Sequence, residues 1–174
     1  MQRVGVIGAG KIGGSLVARL SASGNFALTV SDVHVEQLER FAEGYGVKTT
    51  NSNLEAAEGS DLLVLAVKPW DVGRVLEEIS LTIKGNEKAV VSVAAGVPIS
   101  AIEGKLPAGA AVLRVMPNVC AAVGLGSAVV AANDSGEAHM PEVVGIFRHV
   151  GDVIDVEIQS VDAARGRIAL AWAK

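Results

Sequence analysis

Residues 4 to 14, Val4-Gly5-Val6-Ile7-Gly8-Ala9-Gly10-Lys11-Ile12-Gly13-Gly14, constrain this 174-residue chain more than any other stretch. An apolar run ends in Gly8-x-Gly10-x-x-Gly13 and passes directly into a helix-like segment at 15–20. A strand, a glycine turn and a helix in that order are what a dinucleotide pyrophosphate requires. Gly8 allows the tight turn, Gly10 lets the backbone approach the phosphates, and Gly13 lets helix and strand pack closely. The helix start then offers unpaired N–H groups and a positive dipole end to the anion. An acid, Asp32, closes the next apolar run at 26–30. The competing reading of the motif is a purely structural glycine turn.

The rest of the chain supplies the context such a motif needs. Hydrophobic residues are 50% and charged residues 20% of the chain, a globular balance with no compositional signature of disorder. Aromatics at 3% and a net charge of −4 argue against a nucleic-acid partner. The single Cys120 excludes an intrachain disulfide and fits a reducing cytoplasm. The first residues read as a strand, not a targeting signal, and apolar runs such as 62–67 are too short to cross a membrane.

Strands are expected at 3–8, 27–31, 48–49, 62–67, 89–93 and 112–116, and helices at 12–23, 35–45, 54–58, 70–83 and 100–106. That alternation predicts an α/β fold, a doubly wound and mostly parallel sheet that binds ligands where its strands end. A strand at 127–132, a helix at 141–150 and a strand at 153–156 extend the sheet near the C-terminus. The expected division is a dinucleotide-binding domain at 1–158 and a tail helix at 159–174.

Several residues at expected strand ends could carry chemistry. Asp32 serves either to accept hydrogen bonds from the adenosine ribose or to cap the helix from Val35. Its charge repels a 2′-phosphate, and Val33 supplies no cation there, so NADH is favoured over NADPH. Lys68, in Val67-Lys68-Pro69, reaches a ligand or is a solvated lysine. The small residues Ala94-Ala95-Gly96 leave room for a flat ring or for close helix packing. Asn118 orients a polar ligand or belongs to a plain turn. Cys120 lacks a visible general base, so it reads as a buried or incidental thiol. No His, Cys and carboxylate spacing suggests a metal site, and no catalytic residue is assigned.

Four segments together resemble the pyrroline-5-carboxylate reductase family: Gly8-Ala9-Gly10-Lys11-Ile12-Gly13, Ala66-Val67-Lys68-Pro69, Val91-Ser92-Val93-Ala94-Ala95-Gly96-Val97 and Arg114-Val115-Met116-Pro117-Asn118. The resemblance covers about residues 2–163 and implies a Rossmann-type cofactor domain using NAD(P)H. It also implies hydride transfer to the C=N bond of a small cyclic imine, 1-pyrroline-5-carboxylate, to give proline. By the resemblance the glycine loop, with Lys11 and Ile12, holds pyrophosphate, and Asn53 contacts the adenosine side. Val67, Lys68, Pro69, Ala94, Ala95 and Gly96 line the nicotinamide site, and Met116, Pro117 and Asn118 approach the reacting centre. A homo-oligomer is implied as well.

Two departures stand out. Val119-Cys120 replaces the family's Thr-Pro, which removes a hydroxyl, and 164–174 does not resemble the family's Ser-Gly-rich helical segment. The expectation is a cofactor domain without the all-helical domain that follows it in the family. The other readings kept open are a nucleotide-binding module without turnover and a deazaflavin-dependent NADP reductase.

Overall fold

Strand β4 (Leu62–Leu65) is buried at every position, and alternate residues face opposite ways. Leu62 and Val64 join one apolar cluster, Leu63 and Leu65 another. A strand of this kind needs helices on both sides. The computed structural model, which describes residues 1–118 and 125–154 and the strands 156–162 and 167–172, supplies them.

Eight strands form the main sheet: β1 (Gln2–Ile7), β2 (Phe26–Ser31), β3 (Lys48–Thr50), β4, β5 (Ala89–Ser92), β6 (Ala111–Pro117), β7 (Gly126–Ala132) and β8 (Gly151–Val153). Their order is β3-β2-β1-β4-β5-β6-β7-β8. The first six are parallel, with Val6 opposite both Val30 and Val64, and Val64 opposite Val91. β7 runs antiparallel to β6, and β8 is parallel to β7. The expected doubly wound sheet with a C-terminal extension is therefore present.

Helices α1 (Lys11–Ser23), α2 (Val35–Tyr45) and α6 (Met140–Phe147) cover one face, where Leu16, Leu20, Leu38 and Phe147 pack on Val4, Val30 and Val91. Helices α3 (Asn53–Glu58), α4 (Val72–Ile79) and α5 (Ile99–Glu103) cover the other, where Val75, Ile79 and Ile102 meet Ile7, Leu65 and Val90. Burying side chains of this size contributes about 1.5–3 kcal/mol each, so two closed cores hold the sheet in place.

The expected helix at 70–83 is shorter, because tight single turns at Pro69–Asp71 and Ser80–Thr82 flank α4. A larger correction concerns the tail. In place of a helix at 159–174 the chain forms β9 (Val156–Asp162) and β10 (Arg167–Trp172), paired antiparallel. The expected strand at 153–156 straddles the end of β8 and the start of β9. Helix propensity across 159–174 suggests the helix, yet Val156-Glu157-Ile158-Gln159 alternates apolar and polar residues with the period of a strand.

His139 ties α6 to the turn before β5. Its Nδ1 lies 3.0 Å from Glu142 Oε2 and its Nε2 lies 2.7 Å from the Asn86 carbonyl oxygen. Burial disfavours the charged ring, but the two acceptors outweigh it and raise the pKa above the ordinary histidine value. A raised folded pKa means stability that is complete below the unfolded pKa and lost as pH climbs through the folded one. Urea midpoints are expected to be lower at about pH 8.5 than at about pH 5.5 by more in the parent than in His139→Gln. Equal pH dependence in the two proteins would count against the pairing.

Candidate functional site

Backbone hydrogen bonds continue past the strand ends and fix a common edge. Gly8 N–H donates to the Ser31 carbonyl at 2.8 Å, Ala66 N–H to Ile7 at 2.8 Å, and Val93 N–H to Leu65 at 3.1 Å. The carboxyl ends of β1, β2, β4 and β5 are thereby locked side by side. This edge includes the point between β1 and β4 where the strand order reverses, the position at which doubly wound sheets open a crevice.

The three motif glycines have different causes. Gly8 has φ +100°, a conformation that side chains disfavour, and a Cβ there would meet the Ala66 carbonyl oxygen at 2.7 Å. A Cβ on Gly13 would collide with the Gly8 carbonyl oxygen and lie 3.0 Å from Ala66 Cβ. Both glycines are demanded by the chain itself. Gly10, which precedes α1, has φ −70° and nothing within 4 Å of a built Cβ. The fold does not explain that glycine; a ligand approaching the backbone and the start of α1 would. α1 carries no acid in its first turn to compete with an anion.

Asp32 stands beside this loop. Its Oδ2 accepts from Ala9 N–H at 2.7 Å and its Oδ1 from His34 N–H at 2.9 Å. The helix-cap alternative takes a different form here: His34 is the capping residue of α2, and Asp32 closes an Asx turn just before it. A carboxylate oxygen accepts more than one hydrogen bond, so both oxygens retain acceptor capacity toward the crevice.

Asn53 opens α3 after Ser52, whose hydroxyl caps the helix by accepting from Glu55 N–H at 3.2 Å. The Asn53 amide accepts from Ser31 Oγ at 2.9 Å and donates to Glu78 Oε2 at 2.6 Å. Gly8, Asp32, Val33, Asn53 and Val67 line one small pocket of about 80 Å³, together with Asp71 and Arg74 from the α4 side.

The remaining expected residues lie along the same edge but outside that pocket. Lys11 and Ile12 open α1, and Lys68 is exposed, with no ion pair among the described residues. Pro69 begins the turn that leads into α4. Ala94 is buried, while Ala95 and Gly96 are exposed. Arg114 donates from Nη2 to the Ala94 carbonyl at 2.9 Å, holding the small-residue turn against β6. Met116 and Pro117 end β6, and Asn118 N–H donates to the Ser127 carbonyl at 3.0 Å. Cys120 lies outside the described residues.

Sequence reasoning missed Asp71 and Arg74. Asp71, Arg74 and Glu78 stand at helical spacing and read as an exposed ion-pair ladder. Nothing in that spacing reveals that the ladder borders the pocket of Asp32, far earlier in the chain. A wider recess of about 660 Å³ at Ile99, Glu103, Asn133 and Asp134 lies beside the amino end of β6, away from the glycine loop. No lysine or arginine lines it, and Asn133 there is occupied in pinning Val112, Gly136 and Ala110. Among the described residues no group of histidines, cysteines and acids is arranged for a metal ion, and no helix is long and apolar enough to cross a membrane.

Residues 3–96 match the model of the family described as NADP oxidoreductase coenzyme F420-dependent. A pyrroline-5-carboxylate reductase of Methanosarcina acetivorans is 34% identical over 169 residues, which is 95% of this chain and 62% of that protein. The solved pyrroline-5-carboxylate reductase of Coxiella burnetii superposes with a TM-score of 0.84 at 31% identity, covering 91% of this chain and 59% of the other. The Plasmodium falciparum pyrroline carboxylate reductase, solved with NADP bound, shares the fold at a TM-score of 0.77 and 24% identity, over 90% of this chain and 58% of the other. The chain thus spans about three-fifths of the length of these proteins.

Proposed function

We propose a function from the premise that this chain belongs to the family of coenzyme F420-dependent NADP oxidoreductases: it is the cofactor-holding part of an NAD(P)H-dependent reductase of the pyrroline-5-carboxylate type. The observation that carries the reading is the open space over Gly10, at a sheet edge whose other two motif glycines the fold itself requires. The resemblance to reductases of that name, at 34% identity over nearly the whole chain, supplies the substrate class.

A bound nicotinamide cofactor supplies the hydride. The chain's own task is then to hold and orient. The backbone at Gly10 and the start of α1 take the pyrophosphate, and Asp32 and Asn53 meet the adenosine ribose. Val67, Lys68, Pro69, Ala94, Ala95 and Gly96 form a floor for the nicotinamide ring, and Met116, Pro117 and Asn118 face the imine. No protein nucleophile is needed for such a transfer.

Turnover of pyrroline-5-carboxylate with NADH or NADPH tests the reading. Clear cofactor binding without turnover would favour a nucleotide-binding module. Reduction of a deazaflavin by NADPH, with no imine turnover, would favour the activity named in the family's description.

Cofactor preference follows from Asp32. At an effective dielectric of about 20, unit charges about 4 Å apart repel by about 4 kcal/mol before solvent and salt screen them. A quarter of that corresponds to about a fivefold preference for NADH over NADPH. Asp32→Asn with Val33→Arg is expected to shift relative affinity toward NADPH in calorimetric titrations. No shift in the variant would leave Asp32 with only its backbone contacts.

Self-association belongs to the same proposal. Trp70 is 78% exposed, Met116 57% and Leu125 80%, along or near the edge where the substrate is placed. Exposed apolar surface of this kind drives association. Sedimentation is expected to show a concentration-dependent oligomer; a monomer across a wide concentration range would argue against it.

A further inference from the structure

Among the described residues that line the small pocket beside Asp32, Arg74 is the one cation. It comes from α4, on the opposite face of the sheet from α2, while the position next to Asp32 where a cation is usually sought holds Val33. The Arg74 side chain is 57% exposed. Its Nη1 donates to Glu78 Oε1 at 2.8 Å, and its Nη2 lies 3.6 Å from Asp71 Oδ1, beyond good hydrogen-bond distance. A guanidinium has five N–H donors, so these two carboxylates hold the group near the pocket without using it up. Glu78 is shared: its other oxygen accepts from Asn53, which is bonded in turn to Ser31 at the end of β2. The cation is thus fixed to the pocket wall through a chain of named contacts.

We infer that Arg74 is a specificity-determining residue of this pocket: it offers the 2′-phosphate of NADP(H) a charge-assisted partner that offsets repulsion by Asp32. The inference rests on the reading of the edge as a dinucleotide site. An arginine near the ribose is the usual means of accepting a 2′-phosphate, and guanidinium suits phosphate because its N–H groups match the oxygens in pairs. Asp32 and Arg74 then act in opposite senses on one substituent, with Asp71 on the same pocket adding to the side of Asp32, and the net preference of the parent is the balance of these charges. NADH lacks that substituent, so it offers Arg74 no charge at the ribose.

Direct titration tests this without reference to turnover. Affinities of NAD⁺, NADP⁺, NADH and NADPH are measured by calorimetry for the parent, Arg74→Leu and Arg74→Lys. Arg74→Leu is expected to weaken NADP⁺ and NADPH by about tenfold, the worth of one hydrogen bond to a charged group, and to leave NAD⁺ and NADH within about twofold. Arg74→Lys keeps the charge but not the paired donors, and is expected to fall between. A uniform loss for all four nucleotides would show a merely structural role and overturn the inference, as would unchanged NADPH affinity. A parent that binds none of the four overturns both this inference and the dinucleotide site. A parent that binds them but reduces no imine overturns the proposed reaction alone.

Discussion

Gly10→Val is expected to leave the protein folded and to lower its affinity for NADH by about tenfold or more, equivalent to about 1.4 kcal/mol. The argument is geometric. Gly10 adopts φ −70°, which valine accepts, and no protein atom lies within 4 Å of where its Cβ would be. The added methyl groups therefore enter the space in which a pyrophosphate would approach the start of α1. Urea unfolding should show a midpoint close to the parent's, and calorimetric titration with NADH should show the loss. Unchanged affinity in the folded variant would remove the glycine loop from the binding site. An unfolded variant would show that the open space belongs to the fold after all.

The opposite result is expected one helical turn later. Gly13→Ala adds a single methyl group, but that group would collide with the Gly8 carbonyl oxygen and press on Ala66. Neither neighbour is free to move. Gly8 is tied through its N–H to Ser31, and Ala66 through its own to Ile7, so any shift must displace α1 or distort the ends of β1 and β4. Overpacking of this kind costs about 1–3 kcal/mol and on occasion more, and here the upper end is expected because both contacts involve the backbone edge. Denaturant unfolding measures it. A loss below about 0.5 kcal/mol, the range of ordinary surface changes, would mean that α1 rides on the sheet more loosely than these contacts describe. The pair of variants separates a glycine held for a ligand from one held for packing.

That separation was only half legible beforehand. The spacing Gly8-x-Gly10-x-x-Gly13 after an apolar run fixes a strand, a tight turn and a helix, because only glycine tolerates φ +100° and only a residue without Cβ fits against the turn carbonyl. The same logic made the sheet readable. Runs such as Leu62-Leu63-Val64-Leu65 have no polar face to offer, so they must be covered twice. The pattern is less reliable near the C-terminus, where composition favouring helix across 159–174 masks the alternation that begins β9 at Val156. A short strand pair depends on its cross-strand partner, and a partner's register is not written in local propensity.

The roles of individual side chains divide along the same line. Asp32 and Val33 follow the second apolar run directly, and local sequence sufficed to propose them, whereas Asn53 came only with the family resemblance. Arg74 did not stand out, since an arginine between two acids on an amphipathic helix looks like solvent-facing charge pairing. Its place beside Asp32 comes from the parallel crossover that puts α3 and α4 across the sheet from α1 and α2 and brings their ends to one edge. Hydrophobic periodicity and steric limits act over a few residues, so the chain by itself determined its strands, its glycine turn and its two-sided core. Which charges meet across the crevice depends on distances set only when the helices close over the sheet, and that the tertiary structure alone decided.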